Sequence, residues 1–314
     1  MDVPLISVIV PVHNDERHLA QALESILAQS FHDFEIIVVD DASTDGTASL
    51  LDGFRDRLTL VLHNDTALGP GPARNRGLAR ARGRWIAFLD SDDRWLPRKL
   101  ECQVEFARTH PGFGVITTDV RWFNGEQVLQ PSLKQVYPIR SGMVAKYLLR
   151  DNWVTTSAAL VPRALMAEHG DFEPIVSEDW MLWMRIADRH PVYFIDDVLA
   201  ERRVHAASLA HTRPDHVAEL LANIERFRDL VRLPPGAIEN AAARVCRINA
   251  WSALQELNPP LARSRVRRGL GYQWCSPRLW VTGVVALLPA AVLRAGRSSL
   301  RGLRRAVPGA GRPG

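Results

Sequence analysis

Four short apolar runs, each holding β-branched residues or aromatics, recur through the first ninety residues with amphipathic segments between them. They are Ile6–Val12, Phe34–Val39, Leu58–Leu62 and Arg84–Leu89. A strand that is apolar on both sides of its pleat must be covered on both faces, and helical crossovers between successive strands make the pairing parallel. The pattern predicts an α/β fold: a Rossmann-like, mostly parallel sheet flanked by helices. The intervening segments agree. Leu19, Leu23, Ile26 and Leu27 fall at helical spacing after a cap at Asn14 or Asp15. Ser43 is placed to cap a helix carrying Leu50, Leu51 and Phe54, and Pro72 opens a third that stops at Gly83.

The middle is less regular. Helices are expected over 97–110, 141–150 and 178–189, and extended segments over 113–123, 155–161 and 192–204. From about residue 214 the periodicity is helical only, broken at Pro259-Pro260. This divides the chain into a domain over 1–212 and a helical C-terminal region over 213–314. With 46% hydrophobic and 24% charged residues, disorder is excluded as the main state. Cys102, Cys246 and Cys275 form neither a zinc spacing nor a disulfide framework, which points to a reducing compartment. The apolar run at 3–12 lacks a preceding positive residue and a small-residue cleavage site, so it reads as a first strand and not as an export signal.

In an open parallel sheet, ligands bind beyond the carboxyl ends of the strands. Two strands here end in acids: Asp40-Asp41, and Asp90-Ser91-Asp92-Asp93. Three carboxylates in four residues repel one another unless a cation sits among them, and oxygen ligands suit hard ions such as Mg²⁺ or Mn²⁺. The other reading is an acid-rich turn capping the next helix. A second acid-ended strand at the same edge weighs against it.

The stretches SVIVPVHNDERHLAQALESILAQSFHDFEIIVVDDASTDGT (7–47), GPGPARNRGLARARGRWIAFLDSDDRWLP (69–97) and SEDWMLWMRI (177–186) together resemble glycosyltransferase family 2. The resemblance covers roughly 5–205. It implies a GT-A fold and an inverting transfer of a sugar from a nucleotide-diphosphate donor, a UDP-sugar by preference, to a hydroxyl of a glycan or lipid-linked acceptor. It implies a divalent metal, Mn²⁺ or Mg²⁺. It also implies roles for matching positions. Pro11, His13 and Asn14 lie on the loop after the first strand, where base and ribose are expected. Asp41 reads the base, with Asp40 beside it, and Arg74 and Arg76 hold the diphosphate. Asp92 coordinates the metal, Asp90 faces ribose or metal waters, and Asp179 is the general base. His205 lies where relatives place a metal or diphosphate ligand, with Arg203 a further candidate. The residue types suit this chemistry: a cation neutralises the leaving diphosphate, and a carboxylate takes the acceptor's proton.

Alternatives stay open for some of these positions. Asp179 also fits a helix N-terminal acid held by the dipole, and His205 an ordinary surface histidine. Trp180 and Trp183 suit either an acceptor floor or core packing. The loop Gly69-Pro70-Gly71-Pro72 is richer in proline than the family pattern, and Arg74 stands where a dinucleotide fingerprint needs its third glycine. A nucleotidyltransferase acting on sugar phosphates would carry a Gly-rich, basic loop after the first strand, where this chain has PVHNDE. A non-catalytic nucleotide-sugar-binding protein would not need the acids at 90–92 and 178–179.

The net charge of +4 hides an uneven distribution. No acid follows Glu256, whereas eleven arginines do. Residues 279–293 (LWVTGVVALLPAAVL) are apolar, too short for a span, and flanked by arginines. One reading is a helix lying in a membrane interface with Arg294, Arg297, Arg301, Arg304 and Arg305 on lipid phosphates, making the protein cytoplasmic and peripheral at the inner face of the membrane. The other is a packing helix with an arginine-rich end. Nucleic acid is not expected as a partner, because the basic region lacks interleaved aromatics.

Overall fold

A computed structural model describes residues 3–204 and 216–295. They divide into two units, 3–135, 139–145 and 152–204 in the first and 136–138, 146–151 and 216–295 in the second.

The first unit is built on a nine-stranded sheet. Its front half is β1 (Ile6–Val12), α1 (Leu19–Leu27), β2 (Phe34–Asp40), α2 (Thr47–Phe54), β3 (Leu60–His63), α3 (Pro70–Leu78) and β4 (Trp85–Phe88). Then come β5 (Arg94–Trp95), α4 (Lys99–Thr109), β6 (Val115–Asn124) and β7 (Gln127–Gln130). Across the sheet the order is β3-β2-β1-β4, continued by β8 (Leu160–Pro162), β6, β9 (Val192–Arg203) and β5, with β7 paired to β6. The first four strands are parallel. β8 runs antiparallel to β4 and β6, β5 antiparallel to β9, and β6 parallel to β9. The expected mostly parallel sheet therefore holds in the first half, and the second half is mixed.

Every residue of β1 is buried. Each large aliphatic side chain there contributes about 1.5–3 kcal/mol by leaving water. α1 lays Leu19, Ala22, Leu23 and Ile26 against the core, and α3 approaches β1 so closely that a Cβ on Gly77 would meet Ile9 Cγ2 at 2.6 Å. Any side chain at Gly77 would force α3 off the sheet.

Several helix starts differ from expectation because local side chains have other partners. α1 begins after His18, since Asn14 turns left-handed (φ 51°) and spends its side chain on Thr44. α2 begins after Gly46, and Ser43 Oγ instead accepts from the Asn14 N–H. α3 starts at Pro70, two residues early, because Gly69 (φ 93°) supplies the turn, and it ends at Leu78, short of Gly83. The run at 155–161 splits into a single turn, Thr156–Ala158, and β8. Two helices complete this unit: α6 (Arg163–His169), outside the expected set, and α7 (Glu178–Ala187).

In the second unit, α5 (Ala145–Arg150) carries Asp151 at its end, which ion-pairs with Arg244. Five helices follow: α8 (His216–Leu230), α9 (Ala237–Gln255), α10 (Pro259–Tyr272), α11 (Pro277–Val285) and α12 (Ala290–Ala295). Pro259-Pro260 opens α10, with the Asn258 side chain accepting from Leu261 N–H; proline costs nothing in a first turn, where the N–H has no helical partner. Ala250, Trp251, Leu254, Val266, Ala286 and Leu293 form its core.

Candidate active site

The register of the parallel strands brings the acids to one edge. Val12 pairs with Asp40, and Asp40 with His63. β4 ends level with Ile9, and Leu89 N–H bonds the Ile9 carbonyl, so Asp90 emerges next to the chain leaving β1. Pro11 lies inside β1 opposite Val39, buried, and not on the loop as expected. His13 and Asn14 are exposed on that loop, as are Glu16 and Arg17. His13 Nδ1 is 2.6 Å from the Asp41 carbonyl, which only accepts, so Nδ1 carries the proton and Nε2 receives the Asn14 amide at 3.1 Å. Asn14 Oδ1 accepts from Thr44 N–H at 2.7 Å, tying the loops after β1 and β2 together.

Asp40 and Asp41 are both buried. Asp40 accepts from Ser43 N–H at 3.1 Å and sits 3.2 Å from His63 Nδ1. Asp41 accepts from the N–H groups of Leu68 (3.0 Å) and Gly69 (2.7 Å) and from the Asn64 amide, so its carboxylate organises segment 64–69. Arg76 is exposed on α3 and donates to the His63 carbonyl at 2.6 Å and to Asn64.

Arg74 is placed differently. Its side chain is 4% exposed and forks between two carboxylates, Nη2 to Asp90 Oδ1 and Nη1 to Glu178 Oε1, each at 2.6 Å. It also faces the Phe172 ring at 5.3 Å. Burial opposes its charge, and Asp90 and then Glu178 outweigh that, raising its pKa above the ordinary arginine value. Such a buried guanidinium is a fixed tie between α3, the strand-end acids and α7. A Cβ on Gly71 would meet the Glu173 carbonyl at 2.9 Å and Glu178 Cγ at 3.2 Å, so glycine there permits the close approach.

Of the remaining strand-end acids, Asp92 is half-buried, and its carbonyl accepts from Arg203 Nε at 2.9 Å. Asp93 is buried and accepts from Ser157 Oγ (2.6 Å) and Arg203 N–H (2.8 Å). Burial first, then the charges of Asp92 and Asp90, hold the Asp93 carboxyl well above the usual carboxylate range. Asp90, with one oxygen held by Arg74, and Asp92 both retain exposure, and their carboxylate oxygens fit a divalent cation bound by oxygen donors. His205 lies outside the described residues.

Asp179 stands at the start of α7, after Ser177 in the left-handed region (φ 55°). Thr156 Oγ1 donates to its Oδ2 at 2.9 Å, and Trp180 N–H to its Oδ1 at 2.6 Å. Burial, then the charge of Glu178, push its carboxyl up to about 6, against the pull of Arg74, Thr156 and the Trp180 N–H. A carboxylate so tuned suits proton abstraction near neutral pH. Trp180 and Trp183 are both buried, and Trp183 packs edge-on against Phe172, which favours core packing over an acceptor floor.

The site also contains residues that sequence reasoning missed. Thr156 touches Asp179, while its neighbour Ser157 touches Asp93 and accepts from Asp90 N–H at 3.2 Å. Their only signal in the sequence is that three hydroxyl residues, Thr155, Thr156 and Ser157, head an otherwise apolar run. Glu178 reads as a companion of Asp179, with nothing to announce its pairing with Arg74.

Comparison with known proteins agrees with this architecture. Two solved structures share the fold. S. aureus TarS (residues 1–349) in complex with UDP-GlcNAc has a TM-score of 0.64 at 18% identity, covering 95% of this chain and 91% of that one. The mannosyltransferase PcManGT from Pyrobaculum calidifontis, in complex with GDP-Man and Mn²⁺, has a TM-score of 0.64 at 20% identity, covering 96% and 85%. The fold is therefore that of the GT-A glycosyltransferases. A model of Glycosyl transferase family 2 matches residues 7–161. The Escherichia coli UDP-Glc:alpha-D-GlcNAc-diphosphoundecaprenol beta-1,3-glucosyltransferase WfaP is 30% identical over 185 residues, 59% of this chain and 71% of its own length. This chain belongs to glycosyltransferase family 2 and is a glycosyltransferase.

Proposed function

We propose that this enzyme transfers a sugar with inversion from a UDP-sugar to a hydroxyl of a lipid-diphosphate-linked glycan, with Asp179 as general base. The observation that carries the reading is the placement of Asp179: its neighbour Glu178 is tied through Arg74 to Asp90, and its own Oδ2 accepts from Thr156, next to Ser157 on Asp93. Asp179 takes the acceptor's proton as its oxygen attacks the anomeric carbon. Asp92 and Asp90 hold the divalent cation, Mn²⁺ or Mg²⁺, which when bound supplies Lewis-acid neutralisation of the leaving diphosphate. The loop of His13 and Asn14 receives base and ribose with Asp40. Asp41 reads the base by accepting the imide N–H of the base in place of the Leu68 or Gly69 N–H. Arg76, the exposed arginine of α3, meets the diphosphate, and Arg74 holds Asp90 and Glu178 in register. The acceptor class follows from WfaP, whose name specifies a GlcNAc-diphosphoundecaprenol acceptor.

We further propose that the C-terminal region docks on an anionic membrane. No described helix is long and apolar enough to cross one. α11 turns Leu279 and Thr282 to its own core, while Trp280, Val281, Val284, Leu287 and Leu288 on and just beyond it form an outward apolar stripe, each 40–70% exposed. Pro289 divides the run expected as one helix, and Arg278 and Arg294 flank it. Such a stripe with arginines at its ends is the pattern of an interfacial helix.

The test is UDP release from a panel of UDP-sugars with a GlcNAc-diphospho-lipid acceptor and Mn²⁺, with the product anomer read by NMR. Acceptor-dependent release with an inverted anomer is expected. A retained anomer, or release indifferent to any acceptor, overturns the reading.

A further inference from the structure

Away from the strand-end acids, Glu168, His169 and His190 each bring one ligand atom within 4.8 Å of the others, the one such group among the described residues. Glu168 and His169 end α6, and His190 lies just past the end of α7. The His169 side chain is 7% exposed. Its Nε2 and the Nε2 of His190 are both buried without a hydrogen-bond partner. The two rings meet edge to face with centroids 5.4 Å apart. Two buried imidazole nitrogens without a hydrogen-bond partner, that of His169 3.7 Å from Glu168 Oε1, are an unfavourable arrangement unless something else binds there.

We propose that Glu168, His169 and His190 form a second cation site, of zinc type, distinct from the acids at the strand edge. Two imidazoles and one carboxylate, with a water completing a tetrahedron, are ligands that Zn²⁺ prefers over Mg²⁺ or Ca²⁺. At Zn–N lengths of about 2.0–2.1 Å, tetrahedral ligand atoms stand roughly 3.3 Å apart. The carboxylate arm can close by side-chain rotation at Glu168, which is about half exposed. Arg189 lies 4.0 Å from Glu168 but is 64% exposed and able to swing away. Gly114 makes room for the arrangement, since a Cβ there would meet His190 Cβ at 2.6 Å. A bound ion would staple the end of α6 to the exit of α7. α7 carries Asp179 near its other end, about 15 Å away at 1.5 Å per residue, so the site would act as a structural clamp on the helix that presents the base.

The experiment uses the full chain, stripped with chelator and titrated with Zn²⁺ by calorimetry, with Co²⁺ as a spectroscopic probe. Asp92→Ala serves as background to remove binding at the strand edge. The expected result is one Zn²⁺ per chain on Asp92→Ala, an intense visible Co²⁺ band typical of tetrahedral sites, and loss of both in Asp92→Ala/His190→Gln. Glu168→Gln, at an exposed position that the fold tolerates, should weaken Zn²⁺ binding at least 10-fold. Absence of Zn²⁺ binding by Asp92→Ala, or unchanged affinity in either the His190→Gln or the Glu168→Gln chain, overturns the proposal.

Discussion

Arg74 Nη1 lies 2.6 Å from Glu178 Oε1, joining α3 to α7 across 104 residues of sequence, and the same guanidinium holds Asp90 with its other nitrogen. Removing it leaves a largely buried glutamate without its cation. Arg74→Ala should therefore lower unfolding stability by about 3 kcal/mol or more, measured by denaturant titration. Arg74→Lys, which keeps the charge but not the fork, should recover part of that. A loss within 0.5 kcal/mol for the alanine variant would remove the tie from the account.

For Asp179 the sign of the pH effect is fixed by a pKa near 6 against an unfolded value near 3.8. The base works ionised, so kcat/KM should fall as pH drops through about 6. The linkage to stability runs the opposite way: the raised carboxyl favours the folded state only at low pH, and that advantage is lost as pH rises from about 4 through 6. Asp179→Asn should thus be at least as stable as the natural chain at pH 8, with a gain on the order of 2 kcal/mol. Turnover should drop about 10²–10⁴-fold with donor affinity unchanged. Collapse of donor binding in this variant would show that Asp179 is not simply the base.

The Thr156 hydroxyl stabilises the ionised form of Asp179. Thr156→Val should shift the acid limb of the pH–rate profile upward by about one unit. An unmoved limb, with folding intact by circular dichroism, would mean that Thr156 does not tune the base.

Asp92→Ala should abolish Mn²⁺-dependent turnover while leaving the unfolding midpoint nearly unchanged, because the side chain is half-exposed. Activity like that of the natural chain would sink the metal assignment.

Replacing Trp280, Val281 and Val284 together with serine should reduce co-sedimentation with anionic vesicles at least 10-fold, since these side chains are already exposed and add little to the core. Binding to the natural chain should weaken with added salt, as expected for arginines on lipid phosphates. Equal partitioning of the variant would assign the stripe to another role.

How far the sequence carried depends on the range of the forces involved. The strands from Ile6 to Phe88 are legible because each is apolar on both faces, a local property. β5 is two residues long and exists through pairing with distant β9, so it leaves no local pattern. β7 is the second arm of a hairpin with β6, and its local signal, Asn124-Gly125 at the turn, was missed. Asp90, Asp92 and Asp179 are legible in the sequence as candidates, by residue type and place. The tie made by Arg74 is not: among ARNRG it is expected on the diphosphate, and only the approach of Glu178 and the seal of Phe172 make it a buried link. Asn14 and Ser43 look like helix caps because capping is a local preference, whereas their hydrogen bonds go to each other's loops.

Thr156 and Ser157 are consecutive, yet one touches the base and the other the acids of the strand edge. The two share one short turn, so a shift of its backbone moves both hydroxyls. On the proposed function, the turn Thr156–Ala158 couples acceptor activation to donor handling. Drift in this segment that remodels one half of the chemistry must be answered in the other half, so changes of acceptor preference are expected to arise elsewhere in the fold.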